Sequence, residues 1–103
     1  MRNLSFKNKT VVFTGTLQTL TRKQAQGLVY SLHGHCQSTV TKQTDMLVCG
    51  HYTKSLFEQS AYTLKEQTAR ELIEQGQDLL ILSEAAFYEC VIEQLQQTKN
   101  NLE

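Results

Sequence analysis

An α/β fold, a small and mostly parallel four-stranded sheet with helices on both faces, is predicted by three observations. Short apolar runs rich in β-branched side chains, around Val11-Val12-Phe13, Met46-Leu47-Val48-Cys49 and Leu79-Leu80-Ile81-Leu82, are too brief for globular helices and read as buried strands. Segments with helical apolar spacing lie between them, opened by capping residues. The resulting order is strand, helix, strand, strand, helix, strand, helix, and crossover helices of this kind join parallel strands.

The first strand covers residues 10–14. A helix follows, with Thr21 and Gln24 as a capping box, Leu20 as the staple residue, and Ala25, Leu28, Val29 and Leu32 on one face. Gly34 is expected at its C′ position. A second strand is expected over His35 to Val40, polar enough in Cys36-Gln37-Ser38-Thr39 to be an edge. Residues 41–44 turn the chain into the third strand, Met46 to Cys49, closed by Gly50. From His51 to Tyr62 the pattern fits a long loop or an extra helical turn through Leu56, Phe57 and Ala61. Thr63 and Glu66 form a second capping box, Ala69, Leu72 and Ile73 a buried stripe, and Gly76 the stop. After the fourth strand Ser83 caps the last helix, whose inward face is Phe87, Cys90, Val91 and Leu95. The polar tail beyond Gln96 is expected to fray.

With 103 residues the chain bounds one domain, large enough for a single core. We expect a basic arm over residues 1–8, the domain over 9–96 and a polar tail over 97–103. No apolar run is long enough to span a bilayer, and the first residues lack the apolar core of a signal peptide, so a cytoplasmic protein is expected. Cys36, Cys49 and Cys90 are odd in number and widely spaced, which suits a reducing compartment better than a disulfide framework. The zero net charge hides an asymmetry: residues 1–44 hold Arg2, Lys7, Lys9, Arg22, Lys23 and Lys42, and all ten acids lie from Asp45 onward. An anionic partner for the basic half accounts for this. Attraction between the two halves of the fold accounts for it equally well.

Chemistry concentrates where the first strand ends. Thr14 offers a hydroxyl, Gly15 lets the backbone approach a ligand and offers an amide, and Arg22 arrives with the next helix. Carboxyl ends of parallel strands are where open α/β sheets bind ligands, so this order describes a phosphate site. The bland alternative is a turn in which Gly15 only bends the chain. Lys65 stands at the start of the second long helix, whose N-terminus favours anions and lies at the same sheet edge if the strands are parallel. Thr14, the Gly15 amide and Lys65 then face one phosphate; the alternative for Lys65 alone is a solvated helix residue.

Rival constellations fail on geometry. His33, His35 and Cys36 lie at the start of the second strand while Cys49 and His51 lie at the end of the third, opposite ends about 16 Å apart in a parallel sheet, so no metal site is expected. Lys42 and Ser55 stand where a phosphatase-like Cys-x5-Arg loop requires Arg, and no nucleotide P-loop motif exists. A receiver domain would need acids at the first strand end, and none precedes Asp45. No nucleophile is paired with a base, so no enzyme activity and no cofactor are expected.

VVFTGTL, RKQAQGLVYSLHGH, the stretch Thr39 to Gly50, TLKEQTARELIEQG and ILSEAAFYECV together resemble a BRCT domain over roughly residues 6 to 95. The resemblance is nearest to the single BRCT modules of bacterial NAD-dependent DNA ligases, bacterial DNA polymerase III epsilon-like exonucleases and the large subunit of replication factor C. It implies a parallel sheet of order 2-1-3-4, with the first and third helices on one face and the second on the other. It also implies a phosphate pocket made of Thr14, Gly15 and Lys65, and modules holding DNA 5′-phosphate ends carry an arginine at the place of Arg22. His33-Gly34 replaces the family's Gly-Gly pair, and Phe87 fills the place of a core Trp. The segment 51–62 is longer than in many ligase modules, and a shifted alignment there would pass the role of Lys65 to Lys54 or Arg70.

The expected function is phosphate-dependent binding in DNA replication or repair, with a DNA 5′-phosphate end or nick as ligand. Arg22, Lys23 and Lys42 would track the neighbouring backbone phosphates. A phosphoserine or phosphothreonine protein is the rival ligand, and docking to another domain of a parent protein is the reading without phosphate. No membrane partner is expected, and a bacterial protein of this kind would sit at the nucleoid.

Overall fold

The computed structural model of this chain describes residues 5–50 and 64–103. The strands are β1 (Thr10–Thr14), β2 (His35–Gln37), β3 (Met46–Cys49) and β4 (Leu80–Ser83), and the helices α1 (Arg22–Ser31), α2 (Leu64–Glu74) and α3 (Glu84–Asn101). All three strand pairings are parallel and the order is β2-β1-β3-β4. The chain leaves β1 towards β2 on one side and reaches β3 on the other. The carboxyl ends of β1 and β3 therefore flank the switch point, the place where such sheets open a crevice.

Alternation of side chains sorts the core into two layers. Val11 and Phe13 of β1, Met46 and Val48 of β3, and Leu80 and Leu82 of β4 join Ala25 and Val29 of α1 and Phe87, Cys90 and Val91 of α3. Val12, Leu47 and Ile81 point the other way, to Ala69 of α2 and Leu79. Helices α1 and α3 thus cover one face and α2 the other. Phe6, inside the stretch expected to be a basic arm, is fully buried and packs on Phe87 with ring centroids 5.7 Å apart.

Local signals are realised where their partners are near in sequence. Thr21 and Gln24 form the full capping box of α1. Ser83 accepts the Ala86 amide at the start of α3 and is also the last residue of β4. Gly76 takes φ +103° after α2, the left-handed stop expected there. The capping box expected from Thr63, and the alternatives for 51–62, fall on residues outside the described ones.

Four expectations are corrected. The left-handed residue after α1 is His33, with φ +70°, and not Gly34. The His33 amide donates to Tyr30 and the Gly34 amide to Val29 at 2.9 Å, the paired bonds of a Schellman ending. Gly34 is required for another reason: a Cβ there would sit 2.7 Å from Val29 Cγ1 and 2.9 Å from the Phe6 carbonyl oxygen. Gly34→Ala is expected to cost roughly 1–3 kcal/mol by overpacking, read as a lowered urea midpoint. Second, β2 pairs over only three residues, His35 to Gln37, as an edge strand with β1 as its one neighbour. Third, Ile73 is 38% and Leu95 51% exposed: both keep the helical period but belong to neither core cluster. Fourth, α3 continues through the polar residues after Gln96 to Asn101, supported by the Gln96–Asn100 bond at 3.1 Å and the Lys99–Glu103 pair at 3.4 Å.

None of the three cysteines is in a disulfide. Burial, and then the carboxylates of Glu93 and Glu89, push the Cys90 thiol above its ordinary range, which keeps it inert at neutral pH.

Candidate functional site

At the end of β1 the backbone turns at Gly15 with φ +76°. A side chain is strained in that conformation, so the glycine is a conformational requirement of the loop between β1 and α1. The Thr14 carbonyl accepts the Gly50 amide at 2.8 Å, and Thr14 pairs with Cys49 in the ladder, so the ends of β1 and β3 advance together. Thr14 itself is buried, 4% exposed, on the face of β1 that α2 covers, as alternation from Val12 requires.

Two cations from different helices meet at this loop. The Lys65 ammonium, in the first turn of α2, donates to the Phe13 carbonyl oxygen at 2.9 Å. The Arg22 guanidinium, first residue of α1, donates through Nη2 to the Gly15 carbonyl oxygen at 2.8 Å. Each uses one donor on a backbone carbonyl and keeps others available. Partial burial lowers the Lys65 pKa from the usual lysine range, and the positive charge of Arg22 lowers it further. Among the described residues no carboxylate forms an ion pair with either group. Like charges gathered without an acid between them raise the energy of the empty site, and an anion at that point lowers it.

The remaining candidates divide by position. Lys23 is exposed and follows Arg22 in the first turn of α1, the end of that helix nearest the loop. Lys42 does not belong with the cluster. It precedes β3 at the amino edge of the sheet, beside Leu72, Gln75 and Gln77 at the far end of α2, whereas Gly15 and Lys65 lie at the carboxyl edge. Arg70 faces Glu66, Nε to Oε2 3.9 Å, one turn along α2. Lys54 lies outside the described residues.

Glu66 is a feature that sequence reasoning missed. It neighbours Lys65 yet is 5% exposed, and its Oε1 accepts the Cys49 thiol at 3.0 Å. Its place on the buried stripe with Ala69 was the available signal, obscured by reading it as a capping residue. Glu84 is another, with a carboxylate that accepts the Gln18 amide at 2.8 Å, the Thr19 amide at 3.0 Å and the Thr19 hydroxyl at 2.6 Å. Its partners are over sixty positions away, and no local pattern announces them. His35 and Cys36 pair with the start of β1 and Cys49 with its end, which separates the residues that resembled metal ligands on paper.

Comparison with known proteins adds the family. The family model for the BRCA1 C Terminus (BRCT) domain matches residues 2–91. A DNA ligase of Heliobacterium modesticaldum is 36% identical over 87 residues, 84% of this chain and 11% of the ligase. A DNA ligase of Listeria monocytogenes is 49% identical over 47 residues, 46% of this chain and 7% of the ligase. A DNA ligase of Francisella philomiragia is 44% identical over 48 residues, 47% of this chain and 7% of that protein. The chain thus spans about a tenth or less of the length of the curated relatives it matches. The match extends over most of the chain, and the sheet order and the distribution of helices agree with it. The chain belongs to the BRCT domain family.

Proposed function

We propose that this chain is a non-catalytic, phosphate-dependent binding module of a DNA replication or repair protein, and that it holds DNA carrying a 5′-phosphate at an end or nick. The meeting of Lys65 and Arg22 at Gly15, with no described carboxylate between them, carries this reading. In this reading Thr14, buried at the end of β1, would turn its hydroxyl to the phosphate, Gly15 its amide, and Lys65 and Arg22 their charge. DNA is favoured over other phosphate carriers by the ligase relatives and by the acid-free first 44 residues. Such a module works where DNA is, in a bacterial cytoplasm at the nucleoid; no described helix is long and apolar enough to cross a membrane.

Magnitudes shape the test. Charge-assisted hydrogen bonds contribute about 1.5–3 kcal/mol each, and association costs about 4–15 kcal/mol, so the phosphate contacts alone give weak binding. The remainder must come from basic residues such as Lys23 along the neighbouring backbone, which makes the interaction salt-sensitive. Titration with two duplexes identical but for a 5′-phosphate or a 5′-hydroxyl, at several salt concentrations, should show tighter binding of the phosphorylated end and loss of both affinities as salt rises. Equal affinity for both ends would remove the phosphate reading. Peptide pairs differing only in phosphorylation provide the other arm: a preference there and none among the duplexes would assign the site to a phosphoprotein.

A further inference from the structure

We propose that Glu84 is a positioning residue of this phosphate site: reaching from α3, its carboxylate holds the β1–α1 loop in the shape that presents the Gly15 amide and Arg22 to the ligand. The inference rests on the reading above and deepens it. Ser83 already caps α3 by accepting the Ala86 amide at 3.1 Å, so Glu84 is free to serve another element. Both of its oxygens point at the loop, Oε1 to the Gln18 amide and Oε2 to the Thr19 amide and hydroxyl. One turn along α3 the Tyr88 hydroxyl lies 2.6 Å from the same Thr19 oxygen. An ionised carboxylate only accepts, so the Thr19 hydroxyl donates to Glu84 and accepts a hydrogen bond from the Tyr88 hydroxyl. The Gln18 amide first, then the Thr19 hydroxyl and amide, hold the Glu84 carboxyl below its ordinary range, as a carboxylate engaged by several donors should be.

The loop is short, and its fixings are distributed along it. Arg22 holds the Gly15 carbonyl, Leu17 is buried in the core, Glu84 takes the next two amides, and Thr21 caps α1. Gly15 stands three residues before Gln18, and Arg22 three after Thr19. Release of the middle of the loop frees both ends, and a ligand must then order them at an entropic cost. A purely structural role would instead lower the affinity for every duplex by the same factor.

The test measures the ratio of affinities for 5′-phosphoryl and 5′-hydroxyl duplexes with wild type, Glu84→Ala and Glu84→Gln. It is run at a temperature where circular dichroism shows all three folded, with amide exchange of Gln18 and Thr19 followed by NMR. Glu84→Ala should speed exchange at both amides and lower the ratio about tenfold, the scale of one charged hydrogen bond. Glu84→Gln keeps an oxygen acceptor for one amide and should restore part of the ratio. A wild type that discriminates beside a Glu84→Ala variant that discriminates equally overturns the proposal alone, as does a uniform loss for both duplexes. A wild type that does not discriminate removes the site itself, and the proposal with it.

Discussion

Phe87→Ala is expected to remove about 3–5 kcal/mol of stability, a large share of the roughly 5–15 kcal/mol that holds a domain of this size folded. The ring has no exposed surface and lies where three parts of the chain meet. Phe13 of β1 touches it edge-on, with centroids 5.5 Å apart and planes at 82°, and Phe6 approaches at 5.7 Å. Truncation leaves a cavity lined by rings that cannot collapse into it, because Phe13 is fixed by the sheet. Phe6 is tied to α3 a second time, its amide donating to Gln94 Oε1 at 2.9 Å. The chain has no tryptophan, so urea unfolding followed by circular dichroism is the appropriate measurement, and the midpoint should fall by roughly 2 M. Phe87→Leu, which keeps most of the volume, should lose much less. Similar midpoints for the two variants would show that the ring is not the keystone of this layer.

That core was legible in the sequence because its signals are local or periodic. Val11, Val12 and Phe13 identify a buried strand wherever they occur, and Thr21 with Gln24 completes a box within a single turn. The convergence of Lys65 on β1 was also legible, since a parallel sheet puts the start of α2 at the edge where β1 ends. Features set by tertiary proximity were not. Gly34 was assigned a conformational task that His33 performs, because its crowding by Val29 and Phe6 is invisible without coordinates. Leu95 has the right period but belongs to neither core cluster. Lys42 is expected by its charge to track the neighbouring DNA backbone, and the direction of β3 puts it at the opposite edge of the sheet from Lys65. The bonds of Glu84 to Gln18 and Thr19 join residues brought together only by the packed fold.

Lys65→Met should abolish the preference for a 5′-phosphate end, a loss of about 10- to 100-fold in the affinity ratio, while leaving the fold as stable as before or slightly more so. The two halves of that expectation have one cause. In the folded protein Lys65 is partly desolvated and faces Arg22, so its pKa lies below the unfolded value. The unfolded chain therefore binds more protons in the alkaline window between the two values, and stability rises with pH across it. Desolvation of the charged lysine opposes folding at neutral pH while its bond to the Phe13 carbonyl favours it, and methionine, which keeps the aliphatic stem, removes both. A residue whose removal costs binding without costing stability is held for its ligand. The pH profile provides a second check. A phosphomonoester gains its second charge near pH ~6, so the preference should rise through that range and then plateau. It should fall again as Lys65 deprotonates, at a pH that the bound anion raises above the value in the unliganded protein. In Lys65→Met the residual binding through the Arg22 guanidinium, which stays charged, should lack this alkaline fall. An unchanged alkaline limb in the variant would assign that titration to another group and take Lys65 out of the site.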